Sequence, residues 1–285
     1  MQNTIKNSIE ISGISLHSGS SNRIILNPSP VNTGIIFIRK DVNNQDNILY
    51  ASHYNAIPAN LCTSIKNKLG VTINTIEHLM AALWAFDVDN ISIDIYGDEI
   101  PILDGSSKNF LETLLLAGKV SQNSKKNILQ IEKKIIVEGE HNSSISIEPS
   151  EIFSIDLEID FNHPLIGRQQ IKFNGDKDEF INEFSNARTF GFKDELEYLN
   201  KNNLALGANL SNVIGLTQTD VLNDEGLRYK DEFVRHKVLD MVGDLRLASS
   251  NIKGAITAIK PSHSLTNKLI NNIFANNKNY SWTDH

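Results

Sequence analysis

Asn74-Thr75-Ile76-Glu77-His78-Leu79-Met80-Ala81-Ala82-Leu83-Trp84-Ala85-Phe86 is the stretch on which the reading of the fold turns. Ile76, Leu79, Met80, Leu83 and Phe86 recur three and four residues apart, an apolar stripe that predicts a helix. On both sides the period changes. Upstream, Arg23-Ile24-Ile25-Leu26 and Gly34-Ile35-Ile36-Phe37-Ile38 are β-branched runs. They are bounded by Pro28-Ser29-Pro30 and by Asp41-Val42-Asn43-Asn44, which predicts short strands joined by turns. Downstream, residues 90–96 alternate as a strand. Pro101-Ile102-Leu103-Asp104-Gly105-Ser106-Ser107 then forms a turn with a capping signal, leading into a helix that ends near Ala117.

Residues 118–127 are polar and without pattern, which predicts a linker and a boundary near residue 125. Strands are expected after it at 134–137, 144–148, 153–159 and 170–173, with a short helix at 178–183. Helices are expected at 193–200, 230–249 and 264–274, with one more strand at 254–259 and a fraying polar tail from 275. Each half sets strands first and helices later. That order predicts α+β layers rather than alternating βαβ units.

The chemistry is carried by Glu77-His78 on the first helix and by Arg235-His236-Lys237-Val238-Leu239-Asp240 on the long one. His236 and Asp240 are four residues apart, so a helix stacks them on one face, and Asp244 extends the row by a turn. Two imidazoles and one carboxylate leave a zinc ion one open position for water, and the spare Glu77 is then free to act as a base. The same N/O donor set admits ferrous iron. Should these residues meet, the site lies between the two halves, where substrate clefts are common.

Blander readings compete. Asn74-x-x-Glu77 is also a helix-capping box, and His236 with Asp240 is also a solvated i,i+4 pair. His263 sits in the turn Pro261-Ser262-His263-Ser264, and loops of this kind often carry catalytic groups, although a lone loop histidine is usually surface decoration. Lys237 suits a phosphate contact or a solvated position. Ala187-Arg188-Thr189-Phe190-Gly191-Phe192 joins a hydroxyl, a guanidinium and two aromatics at a glycine turn, and its blander reading is a packed turn with the two phenylalanines in the core. His17 reads as structural, and so does Cys62.

With 285 residues, 40% hydrophobic and 21% charged, the composition is that of an ordinary globular protein able to bury a good core. A formal net charge of -7 argues against a general nucleic-acid binder, while leaving room for a local cationic pocket. A single cysteine excludes an intramolecular disulfide and fits a reducing, cytoplasmic compartment. No apolar run approaches the ~20 residues of a spanning helix, so any membrane contact is expected to be peripheral. There is no P-loop and no dinucleotide fingerprint.

Taken together, these segments resemble the UDP-3-O-acyl-N-acetylglucosamine deacetylase family of lipid A biosynthesis in Gram-negative bacteria. The resemblance rests on Gly13-Ile14-Ser15-Leu16-His17-Ser18-Gly19, Thr75-Ile76-Glu77-His78-Leu79, Ile100-Pro101-Ile102-Leu103-Asp104-Gly105-Ser106, Ala187 through Phe192, Val221 through Leu245, and Ser262-His263-Ser264-Leu265-Thr266-Asn267-Lys268. These run in order over nearly the whole chain. The resemblance implies two similar α+β domains, at 1–125 and 126–285, packed helix layer to helix layer with the metal site between them. It implies zinc on His78, His236 and Asp240, with Glu77 as general base on the metal-bound water. His263, oriented by Asp244, would be the general acid or the cationic oxyanion partner. Thr189 would help hold the oxyanion, Lys237 would meet polar or phosphate groups of the substrate, and Phe190 its sugar or acyl region. The substrate would be an acylated UDP-sugar, the product acetate, and the protein a monomer. An insert near 164–173 would contribute to an apolar passage for the acyl chain. One departure is Ser262, where the family carries glycine; a positive φ there would strain a serine. The alternatives are another zinc amidase of the same fold, or a catalytically silent nucleotide-sugar or acyl-lipid binder with a structural zinc. Glu77 and His263 argue against the silent binder.

Overall fold

A computed structural model describes residues 1–42 and 46–284. Residues 43–45, and with them the Asn43-Asn44 part of the turn expected at 41–44, lie outside the described residues, as does His285. The structure is α+β. Six α-helices occur among the described residues: α1 (Glu77–Ala85), α2 (Lys108–Ala117), α3 (Lys177–Glu179), α4 (Lys193–Lys201), α5 (Glu232–Leu245) and α6 (His263–Phe274).

Alternating apolar residues build the first sheet, of five strands in the order Ile9–Ile14, Ser21–Pro28, Ile91–Ile95, Ile35–Arg39, Ile48–Tyr50. Only Ile35–Arg39 and Ile91–Ile95 pair in parallel; the other neighbours are antiparallel. Ile24, Leu26, Phe37, Ile91, Ile93 and Ile95 turn one face of this sheet into the core. Helices α1 and α2 pack on each other, and α2 also packs on Ile9–Ile14.

The second sheet has seven strands and is organised by Asn251–Ile259. That strand pairs in parallel with Phe153–Phe161 and Asn127–Ile131, and antiparallel with Ser144–Glu148. Ile135–Glu138, Gly167–Phe173 and Tyr280–Asp284 complete it. Helix α6 packs on Ile135–Glu138 and Ser144–Glu148, while α5 packs on Phe153–Phe161 and Gly167–Phe173 and, most extensively, on α1. Trp84 of α1 joins Phe153, Phe173 and Phe180 in edge-on and tilted ring contacts, and Phe184 extends the cluster.

The pairing of α1 with α5 explains one departure from the sequence pattern. The apolar stripe predicts a helix with one covered face, yet all nine residues of α1 are buried. The small residues Ala81, Ala82 and Ala85 let neighbouring layers cover the remaining face. Gly243 of α5 permits a close approach of the two helices: a Cβ built there would lie 2.0 Å from the Glu77 carbonyl oxygen.

Two expected irregular stretches are ordered. Within 118–127, Lys119–Ser121 pairs antiparallel with Asn3–Ile5, so that span is not simply a linker. In the tail, Tyr280–Asp284 pairs with Asn127–Ile131, and Tyr280 and Trp282 pack on Phe274. Both segments gain their order from a distant partner that no local pattern reveals. The helix expected at 230–249 is shorter, ending at Leu245 and continuing as a 3-10 turn over Arg246–Ala248.

Candidate active site

The first turn of α1 and the middle of α5 bring Glu77, His78, His236 and Asp240 together, and all four are buried. Donor atoms of His78, His236 and Asp240 lie within 4.8 Å of one another. Asp240 Oδ1 is 3.4 Å from His78 Nε2 and 3.3 Å from His236 Nε2. The His236 Nδ1–H donates to the Ala187 carbonyl at 3.1 Å, which leaves the Nε2 lone pair facing Asp240. Burial pushes the His236 imidazole down to about 3, against the pull of Asp240, so the ring is neutral at neutral pH. Burial opposes the charge on Asp240, but His236 and Lys237 outweigh it and hold the carboxyl well below the usual range. Asp240 Oδ1 and His78 Nδ1 are buried with no hydrogen-bond partner among the described residues. Two imidazoles and a carboxylate converging within one small buried space are the donor arrangement of a metal site, and the residues present fit a divalent ion.

Glu77 is 3% exposed and caps nothing. Its Oε2 accepts from the Thr63 backbone N–H at 3.0 Å, and Asn74 is engaged elsewhere, with Ser64 and the Asp98 carbonyl. The capping-box reading therefore fails. Burial raises the Glu77 carboxyl above its ordinary value, opposed by His263 and His78.

His263 opens α6, and its Nε2 faces Glu77 Oε1 at 3.9 Å. Its Nδ1 is 2.8 Å from Asp244 Oδ2. Burial alone would lower this imidazole; the Asp244 carboxylate overrides burial and, with Glu77, raises it to about 9. A carboxyl pushed up and an imidazole held charged thus face each other beside the triad, an arrangement that suits general acid–base work.

The Ser262 backbone has φ −135°, ordinary extended geometry, so the strain expected of a serine at this position does not arise. Its hydroxyl instead accepts from the Leu265 N–H and caps α6.

Lys237 does not point away into solvent. Its ammonium pairs with Asp240 Oδ2 at 2.8 Å and lies 5.7 Å from the Phe190 ring centre. Burial disfavours its charge, but Asp240 outweighs burial and raises its pKa. Phe190 also meets the rings of His236 and Phe161. Within 187–192 the glycine lies in a short strand, Phe190–Phe192, paired with Ile214–Leu216, and both phenylalanines pack against the core. Thr189 precedes it, held by its N–H to the Gly105 carbonyl and its carbonyl to the Ile214 N–H.

Two contributors escape the sequence reading. Arg188 is 1% exposed, and its N–H and Nε both donate to Glu232 at the start of α5, while Nη1 and Nη2 reach Glu225 and the Gly226 carbonyl. This clamp sets the Ala187 carbonyl against His236, but nothing local links residues 44 apart. The other is Thr63, which touches Glu77, Asp244 and His263. His17, read as structural, is buried close enough to His263 for the two rings to affect each other's charge.

Fold and site together define the class: an α+β protein whose buried His, His, Asp triad, able to hold a metal, lies beside a carboxyl–imidazole pair. Comparison with known proteins narrows it. Residues 2–275 match the UDP-3-O-acyl N-acetylglycosamine deacetylase family, and the chain belongs to that family. It is 42% identical to the UDP-3-O-acyl-N-acetylglucosamine deacetylase of Wigglesworthia glossinidia brevipalpis, covering 99% of this chain and 95% of that one. The proteins of that name from Psychrobacter sp. (strain PRwf-1), at 43% identity over 98% and 94% of the two chains, and from Pseudoalteromonas atlantica, at 42% over 96% and 90%, are similarly close. Among the described residues, no helix is long and apolar enough to cross a membrane.

Proposed function

We propose that this chain is a zinc-dependent hydrolase that removes acetate from UDP-3-O-(3-hydroxyacyl)-N-acetylglucosamine, an early step of lipid A biosynthesis. The observation that carries the reading is the convergence of His78, His236 and Asp240 beside the facing pair Glu77 and His263. Zinc held by those three residues supplies a Lewis acid that acidifies water and polarises the amide carbonyl. Glu77, pushed up by burial, accepts the proton of the attacking water. His263 presents a charged Nε2–H to the developing oxyanion or to the departing glucosamine nitrogen, while Asp244 holds the ring from behind. The Thr189 hydroxyl adds a donor to the oxyanion.

Lys237, already cationic and beside Phe190, meets a polar or phosphate group of the substrate. Phe161, Phe190 and Phe192 form an aromatic wall beside the hairpin of Phe153–Phe161 and Gly167–Phe173, and that wall supports an acyl-chain path including 164–173. The same reading divides the chain near 125 into two similar domains with facing helix layers, acting as a cytoplasmic monomer. The test is acetate release from the acylated UDP-sugar by purified protein, over several acyl lengths, with and without a chelator. Chelator-sensitive release supports the proposal. No release from zinc-loaded protein rejects the substrate.

A further inference from the structure

Thr63 stands where three helices present their functional side chains. It is 7% exposed, and its carbonyl accepts from the Ile76 N–H just before α1. Its own N–H donates to Glu77 Oε2 at 3.0 Å. Its hydroxyl is 2.5 Å from Asp244 Oδ1 on α5 and 3.1 Å from His263 Nδ1 on α6. The segment is anchored independently of these contacts, because the following strand, Ser64–Lys66, pairs with Ala56–Ile57 and Thr72–Ile73.

The hydroxyl has one proton to give. The His263 Nδ1, 2.8 Å from a carboxylate oxygen, carries a proton of its own and cannot accept another. The Thr63 proton therefore goes to Asp244 Oδ1, and its oxygen lone pair faces the Nδ1–H. Both Asp244 oxygens are then engaged, one by the hydroxyl and one by the imidazole. The carboxylate plane is fixed, the proton stays on Nδ1, and Nε2 is turned to Glu77. Meanwhile the backbone N–H of the same residue holds the Glu77 carboxylate.

We infer that Thr63 is a positioning residue that ties Glu77, through its backbone, and the Asp244–His263 pair, through its hydroxyl, into one geometry. Its hydrogen bonds go to Glu77, Asp244, His263 and Ile76 and to none of the metal-triad side chains, so its loss is expected to leave metal binding little changed. The inference rests on the proposed deacetylation, and a test that includes a measurement independent of activity separates the two.

The variants are Thr63→Val, which keeps shape and backbone N–H but loses the hydroxyl, and Thr63→Ser, which keeps the hydroxyl. Thr63→Val is expected to lower kcat by about a hundredfold, the scale of losing alignment by a fraction of an ångström to one ångström, with KM and bound zinc little changed. Thr63→Ser is expected to restore kcat to within a few-fold. Full kcat in Thr63→Val, or equal losses in both variants, overturns the inference. The independent measurement is the nitrogen-15 imidazole spectrum of the zinc-loaded wild-type protein. A solvent-protected His263 Nδ1–H close to the Thr63 side chain is expected, and it stands even where Thr63→Val does not fold. An Nδ1 without a proton, or a ring flipping freely, overturns the inference. Inactivity of the wild type counts against the proposed substrate and leaves the spectrum to judge Thr63.

Discussion

Replacing Gly243 by alanine adds one methyl group where the structure has no room for it. The Cβ would lie 2.0 Å from the Glu77 carbonyl oxygen, 2.8 Å from its carbonyl carbon and 3.1 Å from its Cα, all backbone atoms. A rotamer change cannot relieve such a contact. Restoring ordinary van der Waals separation of about 3.4 Å requires α1 and α5 to part by roughly 1.4 Å at this level. The opening acts on the site directly, because α1 carries Glu77 and His78 while α5 carries His236, Asp240 and Asp244. Overpacking of this kind costs about 1–3 kcal/mol of stability. A displacement near 1 Å costs on the order of a hundredfold in rate when reacting groups are held in register. The assay is thermal unfolding together with deacetylation kinetics and zinc content on the same preparations. Gly243→Ala is expected to lower Tm by several degrees, to reduce kcat about a hundredfold and to weaken zinc retention. Wild-type Tm and kcat in this variant would refute the claim that the α1–α5 contact sets the site.

Further outcomes follow from neighbouring contacts. Asp244→Asn removes the charge that raises His263 to about 9, so a basic limb of kcat/KM near that pH should move down toward or below the ordinary 6.5. An unmoved limb excludes His263 as the acid. Because the folded value is the raised one, His263 stabilises the fold fully below about 6.5 and loses that contribution as pH rises through about 9; unfolding followed against pH in the two proteins should show this difference. His236→Ala deletes a donor from the triad, and elemental analysis should find zinc falling from one per chain to a small fraction; undiminished zinc would move the metal elsewhere. Ser262→Ala removes the α6 cap and should cost about 1 kcal/mol in denaturant unfolding, whereas Ser262→Gly should cost only a few tenths.

Much of the architecture is legible because period and punctuation agree with the tertiary outcome. Ser144–Glu148 alternates buried and half-exposed residues, and α2 begins just after the Asp104-Gly105-Ser106 turn. The stripe in α1 locates the helix but understates its burial, since period reports one covered face and α5 supplies another. The strands Lys119–Ser121 and Tyr280–Asp284 lack a strong local signal and exist through their pairing partners. At the site, the four-residue spacing of His236 and Asp240 is visible in the chain, as is the adjacency of Glu77 and His78. What spacing cannot supply is which of several bland alternatives applies. That is decided by burial and by long-range contacts such as Arg188 with Glu232 and Thr63 with Asp244, 181 residues away.

In the proposed zinc-dependent hydrolysis Glu77 moves the proton. The most direct measurement compares acetate release by wild type and Glu77→Gln, with zinc measured in both proteins. The variant keeps the side chain's size and its acceptor oxygen for the Thr63 N–H, but loses the basic carboxylate. Retained zinc with a rate lowered by about 10²–10⁴ is the predicted result. Full activity in zinc-loaded Glu77→Gln would contradict it.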